Sequence, residues 1–101
     1  MTDEMIQMLL ETTGLPVVYG CFRAPRPLPY LVWLEAYCRP FAADGRVWCG
    51  IRHIQVELYT DKNDPELEGR VERALSSFVW EKTKEWLESE NCFQVLYEFE
   101  V

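Results

Sequence analysis

His53 is the one histidine in the chain, and so the one imidazole able to act as a general base or nitrogen ligand near neutral pH. It lies in Ile51-Arg52-His53-Ile54-Gln55-Val56-Glu57-Leu58, on the polar phase with Gln55 and Glu57. That phase predicts a cross-strand partner on a wet sheet face, not a catalytic base. The four cysteines, Cys21, Cys38, Cys49 and Cys92, are widely spaced, and no CxxC pair occurs. Zinc sites announce themselves by close ligand spacing, so half-buried thiols and no metal are expected. Carboxylates are plentiful (Glu85, Glu88, Glu90, Glu98, Glu100). On a strand's outer face such acids serve solvation and edge protection, whereas a glycosidase pair needs a deep cleft. GxSxG, GxGxxG and phosphate-loop motifs are all missing from the sequence. Tyr37, Phe41 and Trp48 have only Arg39 and Arg46 beside them, which favours an interaction surface over a base-stacking one. The expectation is therefore no enzyme and no cofactor, with a small hydrolase built on His53 and nearby acids as the competing chemical reading.

The elements that hold these residues belong to a chain of 101 residues, expected to form one domain over 1–101. A domain of this size has a radius of gyration of roughly 13 Å, which excludes a two-lobed enzyme with an interdomain cleft. Hydrophobic residues at 49% are enough for a core, yet so small a core gains from self-association. The net charge is −7 and repels phosphate backbones, so neither sequence-independent nor sequence-specific nucleic-acid binding is expected. The start carries Asp3 and Glu4 where an export signal needs basic residues, and no long apolar run follows. No membrane span and a cytoplasmic location are the expectations.

A helix is predicted over 2–13, capped by Thr2 and stopped by Gly14 and Pro16, with Met5, Ile6, Leu9 and Leu10 as one apolar stripe. Val17 to Phe22 reads as a strand, and Pro25 and Pro27 then make a stiff connection or a sheet edge. Leu28 to Tyr37 reads as a strand covered on both faces, followed by a turn-rich segment to Asp44-Gly45, a strong hairpin signal. Arg46 to Thr60 is a long strand. Asp64-Pro65 opens a second helix, expected to run to about Trp80, whose Gly69 suggests close packing. A closing hairpin follows, with arms at 83–88 and 92–101; in the second arm Phe93, Val95, Tyr97, Phe99 and Val101 face one way and Gln94, Glu98 and Glu100 the other, with Leu96 the exception. The order α-β-β-β-α-β-β predicts an α+β fold: a mainly antiparallel sheet of four to five strands packed by two helices.

The long strand carries an irregularity. Its apolar residues sit at even numbers from Ile54 onward and mostly at odd numbers before Gly50, so a bulge, a bend or a change in which face is covered is expected at Gly50. Residues 38–50 are accordingly expected to leave the body as a protruding β-hairpin arm that wants a second surface to lie on. Phe41, Arg46, Val47, Trp48 and Ile51 are its candidate subunit-interface residues.

Three stretches carry a resemblance. They are Leu15-Pro16-Val17-Val18-Tyr19, Pro29-Tyr30-Leu31-Val32-Trp33, and Gln55 through Glu68 (QVELYTDKNDPELE). With the ending Gln94-Val95-Leu96-Tyr97-Glu98-Phe99-Glu100-Val101, they resemble small prophage proteins of Gram-positive bacteria, similar to tail-terminator or neck proteins of long-tailed phages. The match departs most in 38–50. The resemblance implies an α+β subunit of a hexameric ring at the head-proximal end of the tail tube. Its implied partners are copies of itself, the tail tube protein and the head connector, and its implied location is the bacterial cytoplasm during assembly and then the virion. DNA would at most pass through the lumen. Another neck or minor tail protein, or an accessory protein gripping a host factor, is the alternative.

Overall fold

Thr2 accepts a hydrogen bond from the Met5 amide and starts helix α1 (Asp3–Glu11), in whose first turn Asp3 and Glu4 face the positive dipole end. Asp64 caps α2 (Pro65–Ala74) in the same way, through the Leu67 amide. Between and after them run β1 (Val17–Tyr19), β2 (Tyr30–Ala43), β3 (Arg46–Thr60), β4 (Glu81–Leu87) and β5 (Cys92–Glu100). The computed structural model describes residues 1–101, excepting the side chains of Phe41, Ala43, Trp48 and Cys49. The chain is thus α+β in the expected order, with one mixed sheet ordered β1-β2-β3-β5-β4. β1 runs parallel to β2 and every other neighbour pair is antiparallel.

Both helices lie on one face of this sheet. Ile6 and Leu10 of α1, and Leu67, Val71 and Leu75 of the α2 segment, close over Leu31, Trp33, Ile54, Val56, Leu58, Val95, Tyr97 and Phe99. The β5 alternation turns out as its pattern predicts, with Val95, Tyr97 and Phe99 buried beneath the helices and Glu100 exposed. Two buried aromatics have polar atoms that need partners, and both find them on helices. Trp33 Nε1 donates to Gln7 Oε1 at 2.7 Å, and Tyr97 Oη donates to Glu72 at 2.8 Å. Gln7 Nε2 in turn donates to the Val17 carbonyl, so one side chain ties α1 to β1 and β2.

Edge strand β4 is tied down by charge. Its inward-phase Lys82 and Lys84 both meet the buried Glu68 at 2.7 Å, and Lys82 also meets Glu72 at 2.8 Å. Burial pushes the Glu68 carboxyl up, but the two ammonium groups outweigh it and hold it below the usual carboxylate value. Inward charges of this kind also make a poor template for a further strand.

Several boundaries differ from the sequence expectation. Met5 is 52% exposed, so the α1 core stripe is Ile6 and Leu10 without it. α2 stops at Ala74 instead of running to Trp80. The chain turns there because Phe78 stacks on Phe99 at 4.6 Å and Trp80 meets the Tyr97 ring edge-on at 5.3 Å. Those aromatic contacts outweigh two more helical turns. The first strand ends at Tyr19, not Phe22, and a Cβ at Gly69 would meet only the Arg73 side chain, at 3.5 Å, so close packing does not explain that glycine. The segment expected to be turn-rich from Arg39 is strand as far as Ala43, leaving only Asp44 and Gly45 to reverse the chain.

Candidate interaction surface

The β2–β3 ladder is much longer than the sheet that carries it. β1 pairs with β2 only at Leu31–Trp33, and the last strand pairs with β3 only from Arg52 onward, where Arg52 and Val101 exchange backbone hydrogen bonds at 3.0 Å. Beyond those limits, residues 38–50 form a two-stranded ribbon with no strand on either outer edge among the described residues. The molecule is correspondingly long, 50 × 26 × 22 Å. Two register shifts shape the ribbon. Ala36 is an extra residue on β2, between the pairs Glu35–Ile54 and Tyr37–His53. Gly50 is an extra residue on β3, between Arg39–Ile51 and Pro40–Cys49. The phase flip at Gly50 is thus a β-bulge, one of the readings its sequence pattern allows. At the tip Asp44 (φ 50°) and Gly45 (φ 74°) both adopt the left-handed conformation that a tight two-residue hairpin requires.

Of the expected interface residues, the structure places Arg46 and Val47 on the ribbon and Ile51 just beyond its base, all exposed, with Val47 at 76%. Phe41 and Trp48 are cross-strand partners in the ladder, and their side chains lie outside the described ones. Residues 38–50 hold two arginines (Arg39, Arg46) and one acid (Asp44), a net +1 that leaves −8 on the rest of a −7 chain. The basic ribbon on an acidic body was not apparent from the overall charge.

Polar groups from four elements fix the root of the ribbon. Arg52 donates to Glu35 of β2 at 2.9 Å, to Asp3 of α1 at 2.6 Å and to the Met1 carbonyl at 2.8 Å. Arg39 pairs with Glu100 of β5 at 2.7 Å. His53 lies against Tyr37 and approaches Glu98 Oε1 through Nε2 at 3.2 Å, and Gln55 Nε2 donates to the same oxygen at 3.0 Å. Hydrogen bonds from His53 and Gln55 hold the Glu98 carboxyl below its usual range. The imidazole therefore has the cross-strand partner that its phase predicts. Its Nδ1 is buried and unpartnered, and Ser77, which lines the same open cavity of about 420 Å³, makes no hydrogen bond to it. A nucleophile–base pair is accordingly not assembled at His53 among the described residues.

The opposite end of the open face is covered by its own connection. Phe22 meets the Tyr30 ring edge-on at 5.2 Å, Tyr30 adjoins Tyr59 at 5.2 Å, and Arg26 sits over Phe22. Burial first, then the hydrogen bond to Glu57, pushes the Tyr59 hydroxyl well above its ordinary value, which marks it as a structural donor. The proline-bearing connection thus packs across the sheet, as a stiff segment should. What sequence reasoning missed is the ion pairing at the root: Arg39 and Glu100 lie 61 positions apart, and no local pattern joins them. No protein-family model matches the chain, and no curated protein matches it.

Proposed function

We propose that this protein is a structural assembly subunit that works by gripping copies of itself and neighbouring particle components through the 38–50 ribbon. The observation that carries the reading is a two-stranded ribbon, both edges unpaired, projecting from a core to which it contributes no buried side chain among the described ones. Backbone groups on such edges pair readily with another chain, and heterologous contacts repeated by rotation close a ring. The resemblance of the sequence to tail-terminator and neck proteins of long-tailed phages supports the finer form: a ring, six-fold in that family, at the head-proximal end of a tail tube. Its acidic body suits a channel that DNA must pass without sticking. Sedimentation velocity and negative-stain microscopy, alone and with the tail tube protein, test the reading. Annular oligomers are expected. Single copies at every concentration, with or without the tube, would remove its basis.

A further inference from the structure

The ribbon has a matching surface on the same molecule that it cannot use itself. Met5 and Met8 lie on one side of α1, away from Ile6 and Leu10, and with Leu9, Ser77 and the flanking Met1 and Thr12 they line an open apolar groove of about 380 Å³. Met5 is 52% and Met8 67% exposed. Methionine side chains are adaptable and suit a groove that must receive another surface. One flank of the groove is acidic: Glu4 and Glu11 sit four residues before and three after Met8, which places them on either side of it along the helix. Neither makes an ion pair among the described side chains, and α1 carries no basic residue in its last turn.

The arm tip is the complement. Val47 is its most exposed apolar side chain among those described, and the adjacent Arg46 makes no ion pair there either. The ladder with β2 holds this tip away from the body, roughly 20 Å along the strand from Arg52, the residue that α1 touches. An intramolecular contact would require the ladder to break, so the occupant must come from a second copy. We infer that the tip of one copy seats Val47 in the α1 methionine groove of the next, with Arg46 turned to the Glu4 and Glu11 flank. This rests on the self-assembly reading and names its two faces. The contact joins different surfaces on the two copies, so it propagates head to tail, as a ring requires. Apolar burial supplies attraction, and Arg46 against Glu4 and Glu11 supplies orientation.

A photo-crosslinker decides it. The variant Val47→p-benzoylphenylalanine is mixed with unmodified ¹⁵N-labelled chain, irradiated and digested, so that adducts between copies carry the heavy label. Adducts at Met5 or Met8 of the labelled copy are expected. Met8→Glu is expected to weaken association by about tenfold, with Met8→Leu retaining it and circular dichroism showing both folded. Oligomers whose adducts map elsewhere, or that form equally well with Met8→Glu, overturn the docking and leave self-assembly standing. Single copies only, at every concentration and salt, overturn both.

Discussion

The imidazole of His53 lies flat on the ring of Tyr37, with centroids 4.6 Å apart and planes 7° from parallel. The pair exists because Ala36 is an extra residue in β2. Regular pairing from Glu35–Ile54 would set Ala36 opposite His53, and the bulge sets Tyr37 there instead. The same shift sets Arg39 opposite Ile51, within reach of Glu100. One inserted residue thus builds the arm's root.

Replacing Tyr37 with leucine should remove the ring current over His53 and move its carbon-bound ring protons downfield in NMR spectra. The stability loss should be no more than about 1.5 kcal/mol, since half of Tyr37 faces solvent. Unmoved His53 resonances would mean that the rings are not stacked in solution.

Glu68 contributes to the acid limb of stability, beside Glu72 and Glu98. Its carboxyl titrates below its unfolded value of 4.5 because two lysines hold it, so its contribution is complete above that value and is lost as pH falls through the lower, folded one. Glu68→Gln should cost about 1–3 kcal/mol near neutrality, less than a fully buried pair because both lysines are part-exposed. The gap between variant and parent should narrow below the folded value. Urea titrations from neutral pH down to acid would detect a constant gap, which would contradict the ion-pair account.

Gln7 is the acceptor for a buried indole. Gln7→Leu leaves Trp33 Nε1 without a partner at a cost of about 1–3 kcal/mol. Adding Trp33→Phe to that variant removes the orphaned donor, so the second substitution should cost less than it does in the parent. Urea midpoints for the four proteins of this cycle measure the coupling, and additive effects would rule the bond out as a stabilising one.

Gly45→Val should act locally. At φ 74° a β-branched side chain is strained, at about 1–2 kcal/mol. No residue of 38–50 belongs to the buried core among those described, so the cost should stay in the arm. Amide exchange should quicken over 38–50 while the urea midpoint barely moves. A large drop in global stability would show that arm and core unfold as one unit.

What could be read in the sequence is what short-range chemistry enforces. Asp44-Gly45 has almost no turn available but a left-handed one, Asp64-Pro65 opens a helix by capping and a preset φ, and alternation along β5 assigns its buried face. The Gly50 bulge was visible because a strand has period two and one extra residue inverts it. Other features were decided only when distant segments met. α2 ends at Ala74 because Phe78 and Trp80 find Phe99 and Tyr97 across the core, and those partners lie some twenty residues away in the chain. The α1 stripe divided in the same way: Ile6 and Leu10 are buried in the core, while Met5 stays half exposed and, with Leu9, lines an open groove beside Met8. Local pattern tells which side chains are apolar, and only the packed chain decides which of them are covered, because covering needs a second surface whose position is set by the whole fold.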